Sequence, residues 1–284
     1  MRQKISDRNV LPSLSLEHEY EKLHRLFYDA SAFGKTIAIT QKARPSMSYG
    51  YCLSMMFLDW ELRGSFTSVE EMEFKLGISE DDFASSVTEE RLLDYIQFLA
   101  NAIIFVDKQV REHRYNIYAN GDTIYNAIVD NSHLVLEKLG AEMVDAGTEI
   151  AVVYKNDVAS FVSLQDEELE ASLVEYLKVD NKGNLKRKGE ILCTMAKRLE
   201  ENKTKLYTSE FKLLFSDTTM LLNKIGARHS LKQSDGIEAR FLAMKSDELE
   251  SWYDRTFQMS LTCIAALPYL EFKPDIQKIK STTA

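Results

Sequence analysis

Apolar side chains recur every three or four residues along most of the chain, which is the spacing of one face of an α-helix. A helix is predicted over residues 16–33 from the repeat of Leu16, Tyr20, Leu23 and Phe27. Residues 47–62 are apolar on nearly every side, so we expect a helix buried at the centre of the N-terminal half.

Two short helices with clear start signals follow. Ser68 and Glu71 have the spacing of a capping box, which predicts a helix that ends at Gly77, and Ser79 opens a second helix in the same way. Such a pair has the outline of a DNA-binding helix-turn-helix. The block from Asp59 to Asp94 carries 11 acidic residues against three basic ones, and phosphate contacts dominate DNA affinity. We therefore expect a helical corner, called here the acidic corner, that packs internally or against a partner.

One stretch has the pattern of paired β-strands. Residues 141–144 and 148–154 are largely apolar and flank the short loop Asp145-Ala146-Gly147. The sequence therefore predicts one small β-hairpin near residues 141–154. Elsewhere, 11 glycines and 4 prolines in 284 residues are few for a β-sandwich or barrel, so the expected fold class is mainly α.

The C-terminal half continues with helical patterns. Helices are predicted over residues 123–139, 157–177, 185–199, 211–225 and 246–268, the last ending at Pro268. The composition changes near residue 118. We therefore expect helical bundles in two halves: an N-terminal helical domain over residues 1–118, and a C-terminal helical domain with the hairpin over residues 119–284.

The composition is that of an ordinary globular protein, with 45% hydrophobic and 28% charged residues. The three cysteines, Cys52, Cys193 and Cys263, are far apart and odd in number, which is typical of a reducing compartment. The start of the chain lacks the apolar run of a signal peptide, and no apolar stretch is long enough to cross a bilayer. We expect a cytoplasmic protein that does not contact a membrane.

Although the net charge is −9, the chain contains one basic stretch. Residues 182–212 contain nine basic residues against four acidic ones. Because basic stretches bind phosphates, the candidate nucleic-acid-binding residues are Lys182, Lys186, Arg187 and Lys188. The alternative is a solvated helix face without a ligand.

Few residues of this sequence are candidates for a catalytic role. None of the five histidines has the spacing of a metal site, and Cys52 and Cys263 fall on apolar helix faces, where thiols are usually inert. We expect no metal and no cofactor. The remaining candidates are Arg228 and His229, adjacent residues that follow Gly226. A histidine transfers protons at a 2′-hydroxyl and an arginine holds a phosphate, whereas the alternative is a pair of cations attracted to a helix C-terminus.

Three pieces of the chain after Thr123 carry a resemblance to a known family. They are the hairpin, residues 182–188 opening a helix, and residues 222–229 followed by residues 247–254. Together they resemble a group of bacterial abortive-infection, or phage-defence, proteins that end in HEPN-type helical domains. In the pattern Arg-Asn-Lys-x-Gly-x-x-His of that group, the matching residues are Asn223, Lys224, Gly226 and His229, whereas Leu222 stands where the arginine would be.

The resemblance implies a HEPN-like helical bundle, and the missing arginine implies a role without catalysis. We expect a non-catalytic interaction or sensor subunit of a bacterial antiviral defence system, with a protein partner or self-association. Two alternatives stay open. One is a metal-independent ribonuclease toxin in which His229 transfers protons, and Arg228 or a lysine of the cluster at residues 186–188 supports the phosphate. The other is an accessory subunit that binds RNA or DNA through residues 182–212.

Overall fold

The computed structural model describes residues 15–33, 47–112, 121–225 and 237–282. Within these ranges the protein is mainly helical, with a single two-stranded antiparallel hairpin, so the predicted fold class is confirmed. The chain forms two compact units, Met1–Tyr154 and Lys155–Ala284, which are called here the first and second units.

The first unit contains short helices, two long helices and the hairpin. Its elements are α1 (Leu16–His24), α2 (Tyr49–Met56), α3 (Val69–Leu76), α4 (Glu80–Ser85), α5 (Glu89–Glu112), α6 (Gly121–Leu139), β1 (Ala141–Asp145) and β2 (Ile150–Tyr154). Helix α1 continues into the π-helical turn Arg25–Asp29, and the 3₁₀ turns Phe57–Asp59 and Glu61–Arg63 follow α2.

Side-chain caps begin the two predicted short helices. The Ser68 hydroxyl accepts the Glu71 N–H at the start of α3, and Gly77 ends that helix with a φ of 70°, a left-handed conformation that favours glycine. Ser79 and Asp82 form a reciprocal capping box on α4. Both helices of the acidic corner are therefore confirmed.

Helix α5 lies at the centre of the first unit and contacts α1, α2, α6 and β2. More than half of its residues are buried, on nearly every side of the helix. The sequence prediction placed residues 47–62 at this centre, and that prediction is wrong. Helix α2 is only eight residues long, and Tyr51 and Met55 on it are exposed, as is Leu58 in the 3₁₀ turn that follows.

The predicted hairpin is confirmed, and two amide side chains of α5 hold its edge. The Asn101 carboxamide accepts the Ile150 N–H at 2.8 Å and donates to the Ile150 carbonyl at 2.7 Å. One turn earlier, the Gln97 side chain accepts the Val152 N–H at 2.7 Å. These bonds satisfy backbone groups on an edge of β2 that would otherwise need water or another strand.

The packing of α6 and of the hairpin affects where the chain divides into two units. The predicted boundary at residue 118 lies outside the described residues. The compact units divide later, after Tyr154, because α6 packs on α1 and α5 and the hairpin packs on α5. The hairpin, predicted to belong to the C-terminal domain, lies in the first unit.

All the secondary-structure elements that the structure describes in the second unit are helices, including the 3₁₀ turn Val179–Asn181. Its elements are α7 (Asp157–Gln165), α8 (Glu167–Leu177), α9 (Leu185–Glu201), α10 (Lys203–Tyr207), α11 (Lys212–Lys224), α12 (Ile237–Ala243), α13 (Ser246–Ala265) and α14 (Leu267–Thr282). Helix α13 packs against α7, α9 and α11, and the apolar core of the unit lies among them.

The helix predicted over residues 157–177 is broken at Asp166, so that prediction is wrong. Asp166 is buried with an extended φ of −146°, and its carboxylate lies 2.6 Å from the Arg198 Nε on α9. The ion pair stabilises an aspartate between two helices, which local helical periodicity does not indicate.

The predicted end at Pro268 is also wrong. Helix α13 ends at Ala265, and α14 begins at Leu267, so Pro268 lies in the first turn of a further helix. A proline is tolerated there because the first N–H groups of a helix have no acceptor within it.

The amide clamp on the hairpin gives a testable prediction. Asn101→Ala leaves the N–H and carbonyl of the half-buried Ile150 without these partners, so we expect it to lower the free energy of unfolding by about 1–3 kcal/mol in urea titration. Asn126→Ala, at an exposed position of α6, is the matched control and should change it by less than about 0.5 kcal/mol. Equal effects of the two substitutions would contradict the clamp.

Candidate functional site

The four basic residues predicted to bind nucleic acid lie around the first turn of α9. The side chain of Asn184 caps this helix by accepting the Arg187 N–H at 3.1 Å. Lys182, Lys186 and Arg187 are exposed, whereas Lys188 is only 6% exposed. The cap thus fixes the turn, and the turn directs Lys188 into the second unit.

Lys188 is held by two carboxylates of α13. Its Nζ lies 2.7 Å from Glu250 Oε1 and 2.8 Å from Asp254 Oδ1, one helical turn further along. The Tyr176 hydroxyl on α8 donates to the same Asp254 oxygen at 3.0 Å, and the Gly183 N–H donates to Glu250 Oε1 at 2.7 Å. The Lys188 ammonium therefore joins α8, α9 and α13.

The pKa values in this cluster follow from burial and charge. Burial would raise the pKa of Glu250, but the hydrogen bonds from Lys188 and the Gly183 N–H outweigh it and hold that pKa below its ordinary value. Burial, and then the Asp254 charge, raise the pKa of the Tyr176 hydroxyl well above its usual range. The cluster thus joins the ion pairs of Lys188 to a neutral tyrosine donor.

Carboxylates also face the neighbouring cations. The Arg187 Nε lies 3.3 Å from Glu175 Oε1, and its Nη1 lies 3.0 Å from Glu190 Oε2. Lys182 lies close enough to Glu250 to affect its titration. Nucleic-acid binding through this turn stays a prediction, and these carboxylates reduce the positive charge that the turn offers to a phosphate.

Arg228 and His229 lie outside the described residues, so the ribonuclease hypothesis stays a prediction. The structure does describe position 222, where the related pattern has its arginine. Leu222 is buried in the apolar core of the second unit, on α11. An arginine at this position would point into apolar side chains, where its charge would be costly to bury.

Other sources of chemistry are limited in the part of the chain that the structure describes. No three His, Cys, Asp or Glu side chains there lie close enough to hold a metal ion. Burial raises the pKa of the Cys52 thiol to about 11 and raises that of Cys263, so both thiols are protonated at neutral pH. No described helix combines the length and the apolar character needed to span a membrane.

The first unit contains a titratable cluster that the sequence did not indicate. Glu73 of α3 accepts a hydrogen bond from the Tyr28 hydroxyl in the π-helical turn. The Tyr28 ring lies directly over Gly50 of α2, where an added Cβ would come within 2.2 Å of the ring. The glycine thus allows the close approach that brings Tyr28 to Glu73.

Burial governs the ionisation of this cluster. It raises the pKa of Glu73 to about 7, although the Tyr28 hydrogen bond acts in the opposite direction. Burial also lowers the pKa of His24, whose ring centroid lies 4.7 Å from that of Tyr28. The first unit therefore carries a carboxyl group that changes charge near neutral pH.

Helix α14 presents an apolar face that the described residues leave partly exposed. The four exposed large apolar residues of this helix follow the spacing 3, 4, 3, and their exposed fractions are 45% for Tyr269, 63% for Phe272, 39% for Ile276 and 69% for Ile279. We call these four residues the α14 face. The helical spacing was visible in the sequence, but the predicted helix end at Pro268 concealed it.

Contacts with other helices of the second unit anchor the first half of α14. Tyr269 packs edge-on against Phe211, the Lys205 ammonium lies 2.9 Å from the Glu271 carboxylate, and Lys273 pairs with Glu210. Every residue from 274 to 281 is exposed. Short helices in water take most of their stability from packing, so a packing partner would further stabilise this exposed second half of α14.

Comparison of the chain with protein-family models, with curated proteins and with solved structures gives no match. What the chain does must therefore be inferred from its residues and their geometry.

The buried lysine gives the second prediction. Lys188→Met leaves Glu250 without its main partner, so we expect the free energy of unfolding of the second unit to fall by about 3 kcal/mol. Lys186→Met, an exposed change in the same turn, is the control and should have an effect within about 0.5 kcal/mol. Urea titration followed by circular dichroism measures both, and a neutral Lys188→Met would show that the ion pair does not stabilise the unit.

The third prediction concerns pH. The folded protein holds the Glu73 proton up to a pKa of about 7, whereas the unfolded chain releases it near 4.5, so stability should fall as pH rises between these values. The loss should be at most about 3 kcal/mol, and Glu73→Gln should remove most of it. Asp81→Asn, an exposed acidic position on α4, should keep it. Identical pH profiles for the wild type and Glu73→Gln would contradict the burial of an ionisable Glu73.

Proposed function

We propose that this chain is a non-catalytic interaction subunit that binds another protein molecule through the α14 face. The observation that carries the proposal is the exposed apolar stripe of Tyr269, Phe272, Ile276 and Ile279. Contiguous exposed apolar surfaces are uncommon on soluble monomers and mark sites of protein interaction. A facing helix that covers this stripe is a common form of such recognition.

The support for helix recognition comes from the shape of α14. Its first half is fixed on the second unit by Phe211 and two ion pairs, while residues 274–281 are exposed on all sides. A partner helix would bury the apolar side and supply the packing that stabilises the second half. The geometry therefore favours a bound partner over a free helix.

The setting of this interaction comes from the resemblance to phage-defence proteins. Within that setting, the buried position of Leu222 and the carboxylates around Arg187 favour an assembly role over phosphate chemistry. The proposed function is thus a structural or sensing subunit of a bacterial antiviral system, whose activity depends on α14.

The fourth prediction tests this function in bacteria that carry the gene in its natural neighbourhood and are challenged with phage. Ile276→Asp puts a charge in the α14 face, so we expect protection to drop to the level of cells without the gene. Ser281→Asp lies on the opposite side of the same helix and should protect like the wild type. His229→Ala should also protect, because the proposed role needs no catalysis.

Three outcomes would contradict the proposal. A wild-type gene that gives no protection would overturn the antiviral setting. Full protection by Ile276→Asp would overturn the role of the α14 face. Loss of protection by His229→Ala, together with toxicity of the overexpressed wild type that this substitution relieves, would favour the ribonuclease instead.

A further inference from the structure

The charges that flank the α14 face form an ordered pattern. The spacing 3, 4, 3 gives Tyr269 and Ile276 the a positions, and Phe272 and Ile279 the d positions, of two heptads. Asp275 then stands at a g position and Lys280 at the following e position, one on each side of the stripe. These are the positions whose side chains form ion pairs between the helices of a coiled coil.

Parallel pairing of two α14 helices would match these charges. In a parallel pair, each g residue faces the e residue that lies five positions later on the other helix. Asp275 of each copy would then face Lys280 of the other, which gives two attractive pairs. The earlier e position, Lys273, would face Pro268, which carries no charge.

Antiparallel pairing would bring like charges together. If the four apolar layers are kept, the two-fold axis passes close to residue 274, so Asp275 would face Asp275 and Lys273 would face Lys273. Like charges at such positions are destabilising. The charge pattern therefore selects the parallel arrangement.

The remaining residues of α14 are compatible with a partner on this side. Pro274 takes the f position, which faces away from the stripe, so its ring and its missing N–H lie outside the contact. Lys273 is held by Glu210 of its own chain and Glu271 by Lys205, and these pairs, with the contact of Tyr269 on Phe211, anchor the first half of the helix. Asp275 lies 3.0 Å from Lys278 of its own helix in an exposed pair, and Phe272, Ile276 and Ile279 stay exposed beside it.

We propose that the partner at the α14 face is a second copy of this chain, whose α14 lies parallel and places Lys280 against Asp275. This inference rests on the proposed function, since it names the occupant of the same face. Tyr269, Phe272, Ile276 and Ile279 of each copy form the apolar layers, and the two Asp275–Lys280 pairs flank them.

The fifth prediction uses charge exchange in the purified full-length chain. Light scattering coupled to size-exclusion chromatography should give a multiple of 32.6 kDa for the wild type and for Ser281→Asp, and 32.6 kDa for Ile276→Asp. Asp275→Lys alone and Lys280→Asp alone should both be monomers, because each would place like charges across the contact. An equimolar mixture of these two variants should associate again, because both cross-helix pairs become attractive.

The mixture is the decisive measurement, since each variant has the same charges within its own helix whether alone or mixed. Association only in the mixture supports the parallel pair. A wild type of 32.6 kDa at all concentrations overturns it, as does association of both single variants alone or no association in the mixture. A monomeric wild type combined with loss of protection by Ile276→Asp would overturn self-association and retain the proposed function. A wild-type oligomer combined with full protection by Ile276→Asp would retain self-association and overturn the proposed function.

Discussion

A buried ammonium group is the constraint on which the second unit depends. Lys188 is 6% exposed, so its charge has lost most of its water and must be matched by protein groups. Glu250 and Asp254 supply that match from α13, and Tyr176 fixes Asp254 from α8. Because both carboxylates must reach the same nitrogen, α9 and α13 are held in one register.

The register that Lys188 fixes also affects the position of the α14 face. Helix α13 leads directly into α14 through Ala266, so the register of α13 sets where the α14 face begins. Arg187 and Lys188, two of the cations predicted to bind phosphate, pair with carboxylates, while an apolar stripe at the end of the unit is exposed. These cations thus form ion pairs within the second unit, and the surface that it offers to a partner is apolar.

In the first unit, neutral polar groups are likewise matched by side chains from other elements. Asn101 and Gln97 give the backbone of β2 the partners that a third strand would otherwise give it. Glu73 receives a single tyrosine hydroxyl, and burial leaves its carboxyl group able to change charge near neutral pH. In both units, polar side chains far apart in the sequence decide how neighbouring elements meet.

The sequence by itself determined the local structure. Helical spacing, serine caps and the glycines at positions 77 and 147 act within a few residues, so the short helices of the acidic corner, the hairpin and the mainly helical fold class were predictable. The tertiary structure alone decided the break at Asp166, the central position of α5, the burial of Lys188 and the helix after Pro268. These features depend on partners between about 30 and 70 residues away, such as Arg198 for Asp166 and Asp254 for Lys188, and no local pattern contains that information.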